Sequence, residues 1–392
     1  MDNLTHSLVG ATLAELALPV GAPRPTRRTF FVAAVVAANL PDADLVYTRI
    51  TPVPLGALLH HRGHTHTVAG LVLLGLAIVA VCLLPRIRDT VSSMRGRFRT
   101  LIAVALASHL ALDAWNSYGV HPFWPVSARW FYGDAVFILE PWIWMLLGVA
   151  AVLDTMHRAG RALLGVALAG LMILGAFLRV VPLVSLIALA VVATGLGAVL
   201  LERAPRVRAA TALVLATLFV SGLFALREVA RGEVVASLEP RARARIVDVV
   251  LSSNAANPFC WSALTLVRDE PGTSYVMMQG DAAVLVPSGC GRGRAAGVVW
   301  QAPHTQSLTE LRARYRDDCW VRAWLQFGRA PFISGGAISD LRYGSSPRGN
   351  FTTMILKTPS DAAHCPANLT AWRPPRADLL ADDAGGDMRP GE

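Results

Sequence analysis

The sequence predicts a polytopic α-helical membrane domain followed by a small soluble α+β domain. Hydrophobic residues make up 54% of its 392 residues and charged residues only 16%, which is too apolar for a soluble protein of this length. The apolar residues also form long blocks up to about residue 226, whereas Pro, Gly and charged residues are mixed throughout the remainder. We therefore expect a transmembrane domain over 1–230 and a soluble domain over 231–392, ending in a flexible C-terminal tail.

Eight segments are candidates for membrane helices, because a span needs about 20 apolar residues, with a range of about 17–25. Six of them are almost purely apolar: 67–84, 100–116, 136–153, 162–180, 183–201 and 209–226. The other two, 4–20 and 29–47, carry more polar residues, so a full span and a re-entrant helix both remain open for each. The N-terminus has neither the basic stretch nor the cleavage site of a signal peptide.

The orientation of these segments follows from the arginines in the short loops, since basic residues are retained on the cytoplasmic side. One set of alternate loops holds thirteen arginines: Arg24, Arg27, Arg28, Arg86, Arg88, Arg95, Arg97, Arg99, Arg158, Arg161, Arg203, Arg206 and Arg208. The other set holds four: Arg49, Arg62, Arg129 and Arg179. This difference predicts a multi-pass protein of the cytoplasmic membrane, with its N-terminus and its soluble domain both extracytoplasmic.

Five separate stretches carry His or Asp where, in this topology, helices meet the outer interface. The residues concerned are His6, Asp42, Asp44, His60, His61, His64, His66, His109, Asp113 and Asp134. Imidazole and carboxylate are usual ligands of zinc, manganese and iron, and ionisable side chains at membrane depth are costly unless they are paired. The convergence therefore predicts a site for one or two divalent metal ions, with zinc favoured and manganese or iron as alternatives.

Roles can be assigned within this set. We expect the metal ligands among His6, Asp42, His60, His61, His64, His109, Asp113 and Asp134. His109 and Asp113 are four residues apart and share a helix face. Asp44 or His66 would act as general base, and Arg62 would hold a phosphate oxygen. Simpler interpretations stay open: an outer-sphere hydrogen bond for His60 or His61, a helix cap for Asp42, Asp44 or Asp134, and an interfacial arginine at Arg62.

These same stretches resemble a known family. DNLTHSLVG, NLPDADL, HHRGHTHT and SHLALDAWNSYG with WFYGDAVFILEPW are similar to the bacterial inner-membrane family of predicted metal-dependent hydrolases, the YdjM-like proteins. VRAWLQFGRAPF and ISDLRYG resemble the outer soluble region of longer members more loosely. The resemblance implies a metal-dependent hydrolase, distantly similar to zinc-dependent phospholipase C. It points to His6, Asp42, His61, His64, His109, Asp113 and Asp134.

The soluble half predicts a mixed sheet and one helix. Five stretches have the composition of strands: 241–252, 261–268, 274–279, 337–343 and 351–357. Residues 307–327 predict a helix, with Ser307 and Glu310 at capping-box spacing. Four cysteines lie here (Cys260, Cys290, Cys319 and Cys365), whereas Cys82 lies in a predicted span. Four cysteines are consistent with two disulfides in an oxidising compartment.

Together these features predict a membrane-bound metallohydrolase that acts on a phosphoester or lipid-linked substrate at the outer interface. Membrane lipids are the expected partners. Nucleic acid is not, because the arginines are spread among the loops and form no basic stripe. The sequence contains no HExxH or GxSxG motif, which disfavours zincin proteases and serine hydrolases. The alternatives are a divalent-metal transporter or sensor, and a scaffold whose metal only joins helices.

Overall fold

The computed structural model describes residues 1–155, 157–285, 290, 297–358 and 364–381. The predicted C-terminal tail beyond Ala381 lies outside the described residues. Helices make up most of residues 1–237, although residues 115–140 form no helix. The helices are α1 (Asn3–Ala17), α2 (Arg24–Asn39), α3 (Leu55–His60), α4 (Val68–Val81), α5 (Pro85–Val91), α6 (Arg95–Ala114), α7 (Pro141–Asp154), α8 (Arg158–Phe177), α9 (Leu183–Leu200) and α10 (Pro205–Ser237).

A helix occupies each of the eight predicted membrane segments, but fewer are long enough to cross a membrane. In the described part of the chain, four helical stretches have the length and apolar character of a span: Arg24–Ile50, Arg158–Phe177, Leu183–Leu200 and Pro205–Ser237. There are five if α3 with its following turn and α4, which are bent by 66°, count as one. Eight spans are therefore not confirmed, because α1 and α7 have only 15 and 14 residues and α6 begins with the charged sequence RGRFR.

The C-terminal region contains two antiparallel sheets. The strands are β1 (Ile246–Asn254), β2 (Asn257–Arg268), β3 (Ser274–Ala283), β4 (Gly297–Trp300), β5 (His304–Ser307), β6 (Pro331–Ser334), β7 (Ala337–Asp340) and β8 (Met354–Ile355). The larger sheet has the order β1-β2-β3, and β3 pairs with β4 along one part of its length and with β5 along another. The smaller sheet has the order β6-β7-β8. This confirms a sheet-containing domain after the helices, with β4, β5 and β6 added to the predicted strands.

The predicted helix over 307–327 is two helices. The first, α12 (Leu308–Asp317), begins after Ser307, whose hydroxyl accepts a hydrogen bond from the Glu310 amide at 3.2 Å. The second, α13 (Cys319–Trp324), begins after Asp318, whose carboxylate accepts hydrogen bonds from the amides of Trp320 and Val321. A capping aspartate between the two helices explains the break. Short helices also lie at α11 (Pro240–Arg243) and α14 (Ala377–Leu380).

Two disulfides lie in the sheet-containing C-terminal region, the predicted soluble domain, as its four cysteines predict. Cys260 pairs with Cys290, and Cys319 pairs with Cys365. Cys82 has a free thiol. The second bridge ties α13 to the segment that leads to Trp372 and α14. That segment contacts the helical region, since Asn368 accepts a hydrogen bond from Thr51 and Trp372 donates one to Leu59.

The soluble domain packs against the end of the helical domain that carries Asp42 and Asp113. Arg329 forms the main polar contact, because its guanidinium donates two hydrogen bonds of 2.8 Å to Asp134 and further hydrogen bonds to Asp248 on β1. Burial disfavours the charged guanidinium, but the carboxylates of Asp134 and Asp248 outweigh burial and raise the pKa of Arg329 well above its ordinary value. The β1–β2 turn adds a contact, since the Trp142 indole donates to the Ala256 carbonyl at 3.1 Å.

Candidate metal centre

Three local structures bring four buried acidic and imidazole side chains together. Asp42 lies on the 3-10 turn Leu40–Val46 that directly follows α2, and His66 ends the 3-10 turn His64–His66 before α4. His109 and Asp113 lie one turn apart on α6, which orients both side chains to the same side. Gly70 permits the close approach of α4 to the histidine turn, since a Cβ there would lie 2.0 Å from the His64 carbonyl oxygen.

The ligand atoms of these four residues are spaced as metal ligands are. His66 Nε2 lies 3.0 Å from His109 Nε2. Asp42 Oδ1 is 3.4 Å from His66 Nε2 and 3.5 Å from His109 Nε2. Asp113 Oδ2 is 3.2 Å from His66 Nε2 and 3.6 Å from His109 Nε2. Zinc bonds of about 2.0–2.2 Å in a tetrahedron separate neighbouring ligand atoms by about 3.3–3.6 Å, so this cluster could hold a metal ion.

The hydrogen bonds on the far side of each imidazole favour the tautomer that a metal needs. His109 Nδ1 lies 2.7 Å from the Ala38 carbonyl oxygen, which only accepts, so Nδ1 carries the proton. His66 Nδ1 lies 3.2 Å from Asp44 Oδ2, which favours the same tautomer. In both neutral rings the Nε2 lone pair then faces the carboxylates of Asp42 and Asp113. Four converging lone pairs require a positive charge between them, which a metal ion or a proton can supply.

Asp44 contacts His66 on the side of the ring that faces away from the cluster. Its Oδ2 accepts hydrogen bonds from the Arg62 amide at 3.0 Å and from the Thr65 hydroxyl at 2.9 Å, in addition to its contact with His66. Its Oδ1 lies 3.0 Å from His61 Nδ1. Asp42, Asp44 and His61 also have ligand atoms within 4.8 Å of one another, so they form a second candidate group that shares Asp42 with the first.

Arg62 holds Asp113 rather than facing open space. Its Nη2 donates to Asp113 Oδ1 at 3.0 Å, its Nε lies 3.0 Å from Asp113 Oδ2, and its Nη1 donates to the Asp113 carbonyl and to Asn116 Oδ1. The α-amino group of Met1 also donates to Asp113. The Arg62 backbone adopts φ of 59°, in the left-handed region that costs a residue with a side chain about 1 kcal/mol or more. The hydrogen bond from its amide to Asp44 offsets part of that cost.

His6 lies at the edge of the cluster. Its ring stacks on the His109 ring with the centroids 3.9 Å apart, and its Nε2 is 3.5 Å from Asp113 Oδ1. Neither ring nitrogen has a hydrogen-bond partner among the described residues, although the side chain is fully buried. A buried imidazole without partners is unfavourable, so its nitrogens are available to a ligand in the cluster.

Five of the eight predicted ligands lie outside this cluster: His6 borders it, His61 belongs to the second candidate group, and His60, His64 and Asp134 lie elsewhere. His60 ends α3, and its Nε2 lies 2.7 Å from the Thr51 hydroxyl. His64 is exposed at the start of the 3-10 turn, where its ring contacts Trp124 and Trp372. Asp134 pairs with Arg329 of the soluble domain. The 3-10 turn explains why His66 and not His64 belongs to the cluster, because it orients His66 toward α6 and leaves His64 at the surface.

Comparison with known proteins agrees with the sequence resemblance. Residues 1–183 match the family described as YdjM inner membrane protein. Residues 1–183 are therefore similar to this family. The family description and the four apolar helices together support a membrane location. The match contains all four cluster residues and ends at the first residue of α9, so it does not extend to the C-terminal sheets.

One curated relative aligns with part of the chain. It is the uncharacterized protein YfhP of Bacillus subtilis (strain 168), which is 25% identical over 148 residues. The alignment covers 37% of this chain and 43% of the relative, so the two proteins are aligned over less than half of either length. No solved structure is similar to this chain at a significant level.

Three residues of the C-terminal region reach the surroundings of the cluster: Phe327 and Arg342, which lie in the stretches VRAWLQFGRAPF and ISDLRYG, and Trp372, which the sequence does not single out. The Tyr118 ring lies under the Arg62 guanidinium, 4.6 Å from it, and also packs on Phe327. Arg342 of the soluble domain donates to the Ser117 carbonyl at 2.7 Å. The Trp372 indole donates to the Leu59 carbonyl at 2.7 Å and its ring covers His64. The contacts of Phe327, Arg342 and Trp372 join residues more than 200 positions apart, so no local pattern identifies these pairs.

His121 is a further buried histidine near the site. Its ring packs between Trp130 and Trp372, with centroid distances of 4.6 and 4.3 Å. Burial lowers the pKa of His121 to about 3. The ring is therefore neutral at physiological pH and packs as an aromatic side chain between the two domains.

Proposed function

We propose that this protein is a membrane-bound metal-dependent hydrolase that cleaves a phosphoester or a lipid-linked substrate on the extracytoplasmic side. The observation that carries the proposal is the cluster of Asp42, His66, His109 and Asp113, whose ligand atoms converge in a buried site. The match to the YdjM inner membrane protein family supports the membrane location, and the arginine-rich loops at the opposite end of the helices support the orientation.

In this proposal the four clustered residues hold a divalent ion, with zinc favoured by the pair of imidazoles and the pair of carboxylates. When bound, such an ion supplies Lewis acidity, which polarises an ester and brings the pKa of a water molecule to about 7. Asp44 orients His66 by accepting its Nδ1 proton. Arg62 positions Asp113, because its guanidinium already donates to that carboxylate.

His61 is the residue that we propose as general base. Its Nδ1 faces Asp44, which fixes the proton on that nitrogen and leaves Nε2 able to accept a proton from water. The His61 side chain is 22% exposed, whereas those of His66 and His109 are fully buried. Substrate can therefore approach His61 from outside the cluster, as a general base requires.

The surface next to Asp42 favours a substrate that is dissolved in the membrane. The Asn3 amide donates to Asp42 Oδ2 at 3.0 Å and to the Asn39 side chain at 3.3 Å. Asn3 is exposed, although it lies at the start of an apolar helix, and the nearby Val36 on α2 is 47% exposed. A polar group beside Asp42 on an otherwise apolar surface suits an amphiphilic substrate that enters from the bilayer.

The Asp44→Asn variant should bind zinc about 10–100-fold more weakly, the usual loss when a carboxylate that orients a metal-binding histidine is removed. Asp44 accepts hydrogen bonds from His61, Arg62 and Thr65 on two anionic oxygens. The asparagine side chain has only one oxygen acceptor and no charge, so it cannot replace all three. Competition with a chromophoric chelator measures the affinity. Asp89→Asn, which changes an exposed carboxylate on α5, is the matched control and should bind zinc as the wild type does.

Hydrolysis is tested with the full-length protein in detergent, loaded with zinc, manganese or iron and offered an activated phosphodiester and phospholipids. The His61→Ala variant should keep its metal and lose about 10²–10⁴-fold in rate, the usual contribution of a general base. Asp113→Ala should lose both metal and activity. If metal-replete wild type cleaves none of these esters, while His109→Ala lowers its thermal stability, the metal-joined scaffold replaces the hydrolase.

A further inference from the structure

A groove separates α1 and α2 from the ends of α7 and α8 at the helix ends opposite the His/Asp cluster. Its volume is about 470 Å³, within the usual range of about 300–1,000 Å³ for sites that hold a small molecule. Its walls are mainly apolar and include Leu8, Ala11, Phe31, Val35 and Leu164. Phe31 is 50% exposed, so the groove is open toward the surrounding membrane.

Basic side chains lie at the mouth of this groove. Arg24 and Arg28 line it, are exposed, and stand one helical turn apart on α2. Two carboxylates, Glu15 and Asp154, also line the groove, but each is paired with an arginine. Arg27 lies 2.9 Å from Glu15.

The second carboxylate is neutralised in the same way, since Arg208 Nη1 lies 2.7 Å from Asp154 Oδ1. Arg24 and Arg28 have no acidic partner in the part of the chain that the structure describes. The mouth therefore carries two positive charges that no protein carboxylate balances. The exposed side chain of His157 also lines the groove and adds a third polar group to it.

We propose that this groove binds an anionic phospholipid, with an acyl chain along Ala11 and Phe31 and the phosphate between Arg24 and Arg28. The apolar walls match a hydrocarbon chain and the unbalanced arginines match an anionic headgroup. The arginine-rich ends of the helices favour the cytoplasmic leaflet, which carries anionic lipids. Basic pockets between helices at that level suit such headgroups. This site is separate from the His/Asp cluster and does not depend on hydrolysis.

The test is native mass spectrometry of the full-length protein released from detergent containing phosphatidylglycerol or phosphatidylcholine with identical chains. The wild type should retain phosphatidylglycerol in preference to phosphatidylcholine. The double variant R24Q/R28Q should retain it about fivefold more weakly for each arginine removed, the effect of one basic residue near an anionic surface. The matched control R95Q/R97Q removes two exposed arginines from the start of α6, away from the groove, and should behave as the wild type.

A second variant tests the groove itself. The Ala11→Phe substitution narrows the groove. It should reduce the retention of both lipids at this site and leave the metal content of the protein unchanged. Equal losses in R24Q/R28Q and R95Q/R97Q would overturn the proposal, because the arginines would then act only as general interfacial charge. Equal retention of the two lipids by the wild type would also overturn it, since the groove would then hold neutral lipid without recognising the headgroup. Unchanged lipid retention in a well-folded Ala11→Phe protein would overturn the proposed position of the acyl chain along Ala11.

Discussion

The His109→Ala variant should purify without stoichiometric metal, whereas the wild type should retain one equivalent of a divalent ion. His109 supplies one of the two imidazole nitrogens of the cluster, and its removal leaves His66 with two carboxylates that both bear negative charge. Two carboxylates and one imidazole form a weaker zinc site than a set with two imidazoles. Elemental analysis of protein purified in detergent measures the content, with thermal unfolding recorded on the same sample to verify folding.

His64→Ala is the control for this experiment. His64 belongs to the same HHRGHTH stretch, and its removal makes the same chemical change, but its exposed ring contacts Trp124 and Trp372 instead of the cluster. The His64→Ala protein should therefore keep its metal. The reverse outcome, in which His64→Ala loses the metal and His109→Ala keeps it, would contradict the assignment of ligands.

The Arg329→Ala variant should be destabilised by about 3–5 kcal/mol, the usual cost of removing one partner from a buried ion pair. Arg329 donates to both Asp134 and Asp248, so its loss leaves the buried Asp134 carboxylate and the partly buried Asp248 carboxylate without this partner. Arg376 lies 3.2 Å from Asp248 and can compensate only that side. Chemical unfolding in detergent measures the free energy, and limited proteolysis should detect release of the soluble domain from the helices.

Two further variants identify the cause of this effect. Arg348→Ala removes an exposed arginine of the same domain and should change stability by no more than about 0.5 kcal/mol. Adding Asp134→Asn to Arg329→Ala should recover part of the stability, because a neutral amide costs less to bury than an unpaired carboxylate. If the double variant is less stable than Arg329→Ala by the full cost of a second independent substitution, Arg329 and Asp134 do not act as a pair.

The local part of the site could be predicted from sequence. His109 and Asp113 are four residues apart in an apolar helix, and that spacing alone puts both on one face. Asp42 is similarly marked, because it directly follows the end of α2. The histidine turn could not be resolved in this way, since a 3-10 turn instead of a helix decides which imidazole faces α6.

The contacts between the domains could not be predicted from sequence at all. Asp134 lies beside four other His or Asp stretches in the predicted topology, yet its carboxylate pairs with Arg329, 195 positions along the chain. Trp372 reaches the Leu59 carbonyl across 313 positions. Such pairs depend on how the two domains pack, and no helical or strand periodicity in a single segment encodes that packing.

The membrane segments show a related limit. Hydropathy located a helix at each of the eight segments, but α1, α6 and α7 contribute short or polar lengths that do not meet the criterion for a span. α1 carries His6, and α6 carries His109 and Asp113, whereas α7 carries no residue of the cluster. Helix length and the charged start of α6 set this limit, since α1 and α7 are short and RGRFR precedes the apolar part of α6.

X-ray absorption at the metal edge of the protein loaded with one equivalent of zinc tests the central claim most directly. Two imidazoles and two carboxylates predict a first shell with two histidine nitrogens, the remaining ligands being oxygen, at about 2.0–2.2 Å. A shell containing sulfur, three or more imidazoles, or no protein nitrogen would contradict a site built from Asp42, His66, His109 and Asp113. So would a folded protein that takes up no zinc.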